Sequence, residues 1–392
     1  DATRELDRRV EEAVRIRMRA DVPLGAFLSG GVDSGAVVAN MARNSRDAVN
    51  TCSIGFAEAK FDEADYAKKV ADQYKTNHQT KVVDPNDYSL VDGLMDYYDE
   101  PYADSSALPT FRVCELARQR VTVALSGDGG DENLAGYRRY KLHMFEEKMR
   151  GMFPVSFRRQ VFGFLGAVYP KADWAPRVFR AKTTFQGLAR SSVESYFHGV
   201  SIFKPEMRQM LFSKSLKSDL QDYNALEVFN RHAEQAETDD PLSLIQYLDI
   251  KTYLPGDILT KVDRASMAYS LEVRVPLLDH ELIGWIASLP SDYKLHGNEG
   301  KYIFKKSLEG QLPNDILYRP KMGFGVPLGH WFRNELKEKI KETVLSEQML
   351  DSGYFEKAYL ERLIKDHQSG IRDYSAPLWT LMMFYQFLSR HG

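Results

Sequence analysis

The sequence predicts an α/β protein in which a mainly parallel sheet, covered by helices, is followed by a mostly helical part. Up to about residue 145, short apolar or β-branched runs alternate with segments of helical periodicity, a pattern typical of parallel strands joined by crossover helices. After residue 150 the strand-like runs stop and helical periodicity dominates, with Gly and Pro between the segments. Two predicted strands also end in glycine-rich acidic loops, as expected at the carboxyl edge of such a sheet.

Hydrophobic periodicity predicts each element in turn. An amphipathic helix opens the chain and reaches Arg17. Strands are predicted at residues 24–28, 49–56, 78–83 and 121–125, with helices at 34–43, 62–74, 85–98 and 108–120. Later helices are predicted at 242–253, 279–289, 301–308, 334–345, 355–368 and 377–389. We therefore expect an α/β core with an N-terminal linker helix over residues 1–150 and a helical part over residues 151–392.

Composition narrows the class of protein. Of the 392 residues, 43 % are hydrophobic and 27 % charged, which is typical of a soluble globular protein. The net charge of −3 gives no reason to expect a nucleic-acid partner. Apolar runs stay below the roughly 20 residues of a spanning helix, so we expect no membrane partner. Two cysteines, Cys52 and Cys114, are too few for a disulfide scaffold, and we expect the reducing cytoplasm.

The first glycine-rich loop is Ser29-Gly30-Gly31-Val32-Asp33-Ser34, between a predicted strand and a predicted helix. Its glycines let the backbone approach a ligand closely, and the free N–H groups of the following helix favour an anion. Ser29 and Ser34 add hydroxyl donors. We interpret the loop as a phosphate or pyrophosphate cradle without the Gly-Lys-Ser/Thr ending of a γ-phosphate loop. A plain strand-to-helix turn is the alternative.

Asp33 supports the interpretation of this loop as a phosphate cradle. A carboxylate among anion-binding groups is costly in free energy unless a cation binds beside it. Mg²⁺ prefers oxygen ligands and usually binds one or two carboxylates plus phosphate oxygens. We predict that Asp33 binds Mg²⁺; a helix-capping role is the alternative.

The second loop, Ser126-Gly127-Asp128-Gly129-Gly130-Asp131-Glu132, also lies between a strand and a helix. In a parallel sheet both loops lie at the same edge, so Asp131 is predicted to share one metal ion with Asp33. An acidic, solvated turn is the alternative.

These residues resemble a known family. The first loop resembles the pyrophosphate loop of the N-type ATP pyrophosphatases, which are adenine nucleotide alpha hydrolase-like. The second loop, with Gly136-Tyr137 after it, resembles the synthetase domain of asparagine synthetase. The similarity continues through residues 263–268, 271–279, 301–306 and 319–324. Its later stretches are most similar to bacterial amidotransferases associated with exosortase and exopolysaccharide systems.

The resemblance implies ATP and Mg²⁺ as cofactors, with aspartate (or another carboxylate) and ammonia as partners. The side-chain carboxylate of aspartate attacks the α-phosphorus of ATP, which gives β-aspartyl-AMP and pyrophosphate. Ammonia then displaces AMP and gives asparagine. A β-lactam or peptide cyclase that closes an amide inside one substrate, an exopolysaccharide-sugar amidotransferase and a non-catalytic nucleotide-binding module are the alternatives.

Site residues follow by matching this chain to the family's motifs. Asp33 and Asp131 match its metal ligands, Lys321 its catalytic lysine, and Asp128 a position tied to forming and consuming the adenylate. Many asparagine synthetases have glutamate where this chain has Asp128, so its action as a base or as an orienting group stays open. The implied nucleotide and pyrophosphate contacts are Leu28, Ser29, Gly30, Gly31, Asp33, Ser34, Ile54, Ser126 and Gly127.

Lys321 also has a physical rationale, because a positioned ammonium stabilises the charge that develops as pyrophosphate leaves. From chemistry alone an exposed surface lysine is the favoured interpretation; the resemblance reverses this and favours catalysis. Second-tier candidates for the crevice are Asp257, Lys261, Asp263, Arg264 and Glu272. Charges in such an apolar segment must be paired or bind a ligand, and we predict mainly structural ion pairs.

Glutamine-dependent members of the family carry an N-terminal glutaminase domain whose nucleophile is a cysteine directly after the initiator methionine. Cys52 lies in a predicted strand and Cys114 in a predicted helix, so neither fits that position. We expect this chain to use free ammonia and the natural protein to have a glutaminase domain upstream, since residue 1 lies at the start of a helical pattern. A homodimer is one assembly that the sequence allows.

Overall fold

The computed structural model describes residues 2–56, 62–83, 89–169, 181–320 and 325–391. Its contacts divide the chain into two compact units, each assembled from three chain segments. Unit 1 consists of Asp1–Val91, Ser106–Lys141 and Asp249–Val326. Unit 2 consists of Asp92–Ser105, Leu142–Leu248 and Pro327–Gly392. The domain boundary predicted at residue 150 stays a prediction.

A five-stranded parallel sheet forms the centre of unit 1, which confirms the predicted fold class. The strand order is β3-β2-β1-β4-β5, so β1 is central. Ala26 on β1 pairs with Thr51 on one side and Leu125 on the other. A separate antiparallel pair, β6 with β7, is two residues long on each side. The strands are β1 (Leu24–Phe27), β2 (Asn50–Phe56), β3 (Asn77–Val83), β4 (Val123–Leu125), β5 (Glu272–Arg274), β6 (Leu295–His296) and β7 (Glu299–Gly300).

This strand order creates a switch point beside β1. From β1 the chain moves outward through β2 and β3 on one side, then returns to place β4 and β5 on the other side. Ligands of open parallel sheets bind at such a point, outside the carboxyl ends of the strands. Both glycine-rich loops leave strands that flank it, as predicted.

The prediction that strands stop after residue 150 is wrong at β5. Its outer residues, Glu272 and Arg274, are charged, and only Val273 between them is apolar, so no apolar run marks it. Pairing with β4 across Ala124 and Val273 defines this edge strand. Tertiary pairing, rather than local sequence, therefore decides the element.

The helices agree with the predicted ones to within three residues wherever both ends are described. The exception is the helix predicted at 85–98: residues 84–88 lie outside the described part, and a five-residue helix and a 3₁₀ turn (Leu94–Asp96) follow. The first fourteen described helices are α1 (Ala2–Arg17), α2 (Val32–Asn44), α3 (Ala64–Tyr74), α4 (Ser89–Gly93), α5 (Ala107–Arg118), α6 (Gly130–Asn133), α7 (Arg138–Met152), α8 (Val155–Phe157), α9 (Gly163–Val168), α10 (Lys182–Leu188), α11 (Ser192–Val200), α12 (Pro205–Leu211), α13 (Lys214–Leu220) and α14 (Leu226–Gln235). The later ones are α15 (Pro241–Lys251), α16 (Thr260–Met267), α17 (His280–Ala287), α18 (Ser291–Lys294), α19 (Tyr302–Ser307), α20 (Asn314–Leu317), α21 (Leu328–Trp331), α22 (Lys337–Val344), α23 (Glu347–Asp351), α24 (Lys357–Gln368) and α25 (Ser375–His391).

The core of unit 1 holds α2 firmly against the sheet. Ala36, Val37 and Val38 of α2 are fully buried, in one cluster with Leu6 of α1 and Leu125 of β4. Burying an aliphatic side chain of this size contributes roughly 1.5–3 kcal/mol. The position of the amino end of α2, which carries the first loop, is therefore set by well-packed apolar contacts.

Unit 2 is helical, and its longest helix, α25, lies at the centre of a second core. Leu378, Trp379, Met382 and Met383 of α25 are at most 1 % exposed. They pack among α21, α22, α23 and α24, where Phe332 is also fully buried. Across the described residues, every helix falls short of the length and apolar character that crossing a lipid bilayer demands.

Candidate active site

The first loop is shaped by a glycine that no other residue could replace. The Leu28 N–H donates to the Cys52 carbonyl at 2.9 Å, so the pairing of β1 with β2 continues into the loop. Gly30 then takes φ +69°, and a Cβ there would lie 2.6 Å from the backbone nitrogen of Ala67 on α3. A side chain at this position would clash with backbone. The loop therefore passes close to α3 before α2 begins at Val32.

Two serines stabilise this turn. The Ser29 N–H donates to Ser34 Oγ at 3.1 Å, and the two hydroxyl oxygens are also 3.1 Å apart. Gly31 is the N-terminal capping residue of α2, without a side-chain cap, so the first N–H groups of α2 keep their direction toward the loop. Such an array is suited to an anion.

The second loop touches the first. A Cβ on Gly127 would lie 2.7 Å from the Ser34 backbone nitrogen and 2.9 Å from the Asp33 carbonyl carbon. The Ser126 N–H donates to the Arg274 carbonyl at 2.8 Å, and Ser126 Oγ donates to Asp128 Oδ2 at 2.6 Å. The predicted meeting of the two loops at one edge of the sheet is thus present, and Asp128 is oriented by Ser126 within its own loop.

Lys301 joins the acidic residues of the two loops. Its Nζ contacts Asp33 Oδ2 and lies 2.8 Å from Asp131 Oδ1. The three side chains are 7 %, 18 % and 15 % exposed, respectively. Asp33 and Asp131, which the sequence placed on one metal ion, therefore converge on one ammonium group.

The charge of Lys301 depends on these neighbours. Burial alone lowers the pKa of its ammonium, but attraction by Asp131 and Asp33 outweighs burial and raises the pKa above its usual value. Lys301 is therefore a cation at neutral pH. One ammonium between two carboxylates leaves the group of three with a net charge of −1.

Tight backbone packing fixes Lys301 in place. It has φ +57° at the start of α19, and its N–H donates to the Leu134 carbonyl at 2.9 Å. A Cβ on Gly136 would overlap the Asp131 carboxylate and the Lys301 side chain, and one on Gly300 would overlap the Ala135 carbonyl. Glycine at both positions lets the segment after the second loop lie against the start of α19.

A buried acid–phenol pair lies directly after Asp131. The Tyr137 hydroxyl donates to Glu132 Oε1 at 2.6 Å, and burial raises the pKa of Glu132 to about 7. The Arg139 guanidinium lies 3.9 Å from the centre of the Tyr137 ring and 4.5 Å from that of Tyr253. It also forms a 2.7 Å ion pair with the buried Asp249. This network of buried contacts stabilises the segment that directly follows the second loop.

Arg319 ties a distant segment to the first loop. Its guanidinium donates to the Gly30 carbonyl at 3.1 Å and to Glu63 at 2.5 Å, and lies 4.4 Å from the centre of the Tyr66 ring. Lys321, the predicted catalytic lysine, lies outside the described residues. Its assignment stays a prediction.

The second-tier candidates have contacts of a different kind. Lys261 on α16 is buried and donates to Ser106 Oγ at 2.7 Å. Glu272 pairs with Arg274 at 2.6 Å, and Asp263 lies 3.8 Å from Arg264. Asp257 lies in a π-helical segment, Leu254–Leu259, directly before α16. Ion pairing was the predicted role of the charged set, and Glu272 and Arg264 each have such a partner.

Ile54 lies near the carboxyl end of β2, beside β1, and is buried. Leu28, at the end of β1, is buried as well. The predicted nucleotide contacts at these two positions thus come from adjacent strands at the edge that carries both loops.

Sequence reasoning missed two functional candidates. Lys301 and Arg319 both lie in stretches that resemble the family, but neither carried a predicted role. A lysine that follows glycine and opens the apolar run Tyr302–Phe304 was the available signal for Lys301. No local signal identifies Arg319, because its partners Gly30 and Glu63 are more than 250 residues away.

The donor set at Asp33 and Asp131 fits one hard divalent cation. Both are carboxylates, the ligands that Mg²⁺ prefers. A Cβ on Gly130 would lie only 2.5 Å from Asp33 Oδ1, so the missing side chain keeps space beside the carboxylate. Asp33 and Asp131 are therefore the residues of this site that could hold a metal, and the first loop could hold the phosphates.

Comparisons with known proteins agree over nearly the whole chain. A family model described as asparagine synthase matches residues 5–389. Asparagine synthetase [glutamine-hydrolyzing] 1 of Bacillus subtilis is 32 % identical over 380 residues, which is 96 % of this chain and 57 % of that protein. A putative asparagine synthetase [glutamine-hydrolyzing] of Mycobacterium tuberculosis is 34 % identical over 383 residues, 96 % of this chain and 56 % of that protein.

More distant similarity extends to proteins with another name. Amidase chry2 of Gibberella zeae is 22 % identical over 382 residues, 88 % of this chain and 55 % of that protein. The chain thus spans a little over half the length of the curated relatives it matches.

Proposed function

The chain belongs to the asparagine synthase family, and we propose that it catalyses ATP-dependent amidation of a carboxylate, with aspartate as substrate and asparagine as product. One observation carries the proposal: carboxylates from the loops after β1 and β4, Asp33 and Asp131, converge on the buried ammonium of Lys301. Such a site can hold a polyanionic nucleotide through a cation, backbone N–H groups and a metal ion.

The proposed reaction has two steps. The side-chain carboxylate of aspartate attacks the α-phosphorus of ATP, and the α–β phosphoanhydride bond breaks to release pyrophosphate. Ammonia then attacks the acyl carbon of β-aspartyl-AMP, the acyl–phosphate bond breaks, and asparagine, AMP and a proton are released. Both steps build negative charge on phosphate oxygens, which positioned cations and N–H donors stabilise.

The residues of this chain divide that work. The loop with Ser29, Gly30 and Gly31 would bind the pyrophosphate part through the amino end of α2. Asp33 and Asp131 would hold Mg²⁺, which when bound neutralises phosphate charge. Lys301 stays protonated and places a fixed positive charge in the same cluster.

We assign roles in the proposed reaction to two further residues, Asp128 and Lys321. Asp128, oriented by Ser126, would orient the adenylate or accept the proton that ammonia loses. Lys321 remains the proposed catalytic lysine for the departure of pyrophosphate. The Arg319 contact with the Gly30 carbonyl supports a link between its segment and the first loop.

A second candidate function is amidation of a different carboxylate by the same two steps. This candidate is supported by the similarity of the chain to two fungal proteins named amidase, which are 22 % and 25 % identical to it. An exopolysaccharide sugar acid is the substrate that the exosortase-type resemblance suggests. The nucleotide and metal residues would be the same in both cases, so only the acyl substrate distinguishes them.

The remaining partners are also proposals. The two asparagine synthetases are named glutamine-hydrolyzing, and this chain matches only 57 % and 56 % of their lengths, so we propose that a glutaminase domain supplies ammonia in the natural protein. We expect the enzyme to act in the cytoplasm, where ATP and aspartate are available, and a homodimer stays one option for its assembly.

Pyrophosphate exchange tests the proposal directly. The chain is incubated with ATP, Mg²⁺, labelled pyrophosphate and one carboxylate at a time, and label entering ATP reports reversible adenylate formation. We expect exchange with aspartate, and stoichiometric asparagine and AMP once ammonium is added. Exchange with a sugar acid but not aspartate would favour the second candidate, and ATP binding without exchange for any carboxylate would contradict both.

Lys321→Ala tests the proposed catalytic lysine in the same assay. We expect exchange to fall at least about 100-fold while ATP still binds, because the variant loses charge stabilisation only as pyrophosphate leaves. The matched control is Lys217→Ala, in unit 2, which we expect to leave exchange unchanged. Unchanged exchange in Lys321→Ala would remove this residue from the mechanism.

A further inference from the structure

A set of exposed apolar side chains is concentrated in one short stretch of unit 2, on α7 and on the helical run from α8 to α9. We call these residues the apolar face. The most exposed are Phe164 at 66 % and Met152 at 64 %. The members of the apolar face are Leu142, Phe145, Met152, Val155, Phe157, Val161, Phe164 and Val168.

The concentration of these residues is unusual. Across the described chain, twenty large hydrophobic residues are exposed, and eight of them fall within the 27 positions from 142 to 168. Single exposed hydrophobics are normal on a protein surface, whereas a concentrated set marks an interaction site. Folding of unit 2 therefore leaves eight large apolar side chains exposed within one short stretch of the chain.

One member of the apolar face, Phe157, takes part in the packing of these helices, since it stacks on Phe153 at 5.2 Å and meets Phe162 edge-on at 6.2 Å. Their other sides are engaged: Phe162 stacks on Phe185 of α10 at 6.2 Å, and Phe153 contacts Phe162 at 5.8 Å. Buried Arg158 donates to the carbonyl of Leu188 at 3.0 Å. Phe157 therefore belongs partly to the packed layer, whereas Phe145 and Phe164 are 54 % and 66 % exposed.

Charge identifies the kind of partner. Residues 142–190 contain nine Lys and Arg against three Asp and Glu, a net charge of +6 in a chain whose net charge is −3. Glu146 and Glu147 of α7 are paired with Arg150 at 2.9 and 2.5 Å, while Lys148 and Arg159 are exposed. The apolar face therefore lies in a basic segment, in which the two glutamates of α7 share one arginine.

We propose that the apolar face binds the surface of an anionic lipid bilayer, with its Phe and Val side chains inserted among the lipids and Lys148 and Arg159 near the headgroups. Helices with aromatic and aliphatic residues on one side and cations beside them lie in a membrane interface, and anionic lipids add attraction for each basic residue. This attachment is peripheral and needs no spanning helix, so it departs from the expectation, drawn from the sequence, that the chain has no membrane partner. It is independent of the proposed function.

Other partners fit the apolar face less well. Nucleic acid binding uses cations with polar groups and needs no continuous aliphatic surface. A second copy would bring two segments of the same positive charge together, which opposes association. An anionic lipid surface can accept the apolar side chains among its acyl chains and attract the basic side chains to its headgroups.

Vesicle flotation tests the proposal. The full chain is mixed with phosphatidylcholine vesicles that contain either none or about one third phosphatidylglycerol, and the floated fraction is measured at two salt concentrations. We expect flotation with the anionic vesicles, much less with neutral ones, and a decrease at high salt. Absence of flotation with anionic vesicles at low salt would overturn the proposal.

Surface variants keep the test specific. Phe145→Ser with Phe164→Ser should lower the floated fraction at least about tenfold, because two inserted aromatic rings are lost. Tyr223→Ser is the matched control, since Tyr223 is 60 % exposed in unit 2 but outside the apolar face. These substitutions are at exposed sites, so circular dichroism should show folded protein in each case.

A charge variant separates insertion from general attraction. Arg159→Glu should reduce flotation several-fold, while Lys357→Glu, at an exposed lysine elsewhere in unit 2, should not. Equal effects of both charge reversals would contradict a specific face. A change in molar mass by light scattering in the Phe variants, without any change in flotation, would show that the face joins copies instead and would overturn the proposal.

Discussion

Lys301 and Asp131 form an ion pair of 2.8 Å, in which both side chains are at least 85 % buried. Asp33, which lies 268 positions before Lys301 in the chain, contacts the same ammonium. Two carboxylates and one ammonium at the ends of two glycine-rich loops are the groups that bind a divalent cation and a polyphosphate. The ion pair therefore has both a structural and a proposed functional role.

Replacing Lys301 with Met should destabilise the protein and abolish its activity. The variant leaves Asp33 and Asp131 buried without their shared cation, which costs about 3–5 kcal/mol. We expect a clearly lower melting temperature, and pyrophosphate exchange reduced at least about 100-fold. Thermal unfolding followed by circular dichroism, together with the exchange assay, measures both effects.

Lys306→Met is the matched control, because Lys306 lies on the same helix, α19, and its pair with Glu309 is more than 40 % exposed on each side. Water screens an exposed pair, which contributes little to stability, so we expect nearly unchanged stability and exchange. Equal melting temperatures for the Lys301 and Lys306 variants would contradict the role given to the buried cluster.

Asp131→Asn should change the metal requirement of the reaction. If Asp131 is one of two protein ligands, the neutral amide binds Mg²⁺ more weakly, since hard cations prefer carboxylate oxygens. We expect the Mg²⁺ concentration for half-maximal exchange to rise at least about tenfold. Titration of Mg²⁺ at fixed ATP measures it, and chelation with EDTA should stop exchange in the unsubstituted protein.

Asp292→Asn serves as the control for charge, because Asp292 is exposed on α18 of the same unit. Its Mg²⁺ titration should match that of the unsubstituted protein. An unchanged Mg²⁺ requirement in Asp131→Asn would remove Asp131 from the metal site and leave it as a structural partner of Lys301.

The sequence predicts the sheet and both loops well because these features are local. Glycine-rich loops directly after apolar strands predicted the placement of Ser29 and Ser126, and the parallel arrangement predicted that Asp33 and Asp131 come together. The structure agrees with each of these placements.

Features that depend on distant pairing could not be predicted in this way. β5 has charged residues at both ends and is a strand only because it pairs with β4. Lysine is usually a surface residue, so the sequence around Lys301 does not predict its burial. The side chain is buried where Gly136 and Gly300 let neighbouring segments pack closely. Arg319 reaches the Gly30 carbonyl from 289 positions away. Local patterns carry no information about such contacts.

Gly127→Ala should damage the site more than the fold. The added Cβ would lie 2.7 Å from the Ser34 nitrogen and 2.9 Å from the Asp33 carbonyl carbon, so one of the loops must shift. We expect the KM for ATP to rise and kcat/KM for exchange to fall at least about tenfold, with a stability loss of about 1–3 kcal/mol.

Gly151→Ala is the matched control. Gly151 lies in α7, and a Cβ there meets no other atom within 4 Å. Alanine is the better helix former by up to about 1 kcal/mol, so we expect equal or slightly higher stability and unchanged kinetics. Unchanged kinetics in Gly127→Ala would show that the contact of the two loops does not matter for nucleotide binding.

His367 of α24 is a buried titratable group of unit 2, far in sequence from the proposed active site. Its side chain is fully buried, and Nδ1 accepts a 3.1 Å hydrogen bond from the Tyr374 N–H. Burial lowers the pKa of His367 to about 4, with a smaller contribution from Arg333, while Asp373 at 3.6 Å acts in the opposite direction. Nδ1 can accept this hydrogen bond only while it carries no proton.

Stability should therefore fall as the solution is acidified. The folded protein keeps His367 neutral down to about pH 4, whereas the unfolded chain protonates it below its ordinary pKa of 6.5. Between these values the unfolded state binds more protons, so the His367 contribution is fully present above pH 6.5 and is lost toward pH 4. We expect a loss of about 3 kcal/mol from this residue by pH 4, and a shallower pH dependence of the melting temperature in His367→Asn, whose side-chain oxygen can still accept from Tyr374. His280→Asn, at a histidine that is 88 % exposed, should retain the original dependence; identical pH profiles for both variants would contradict the assignment to His367.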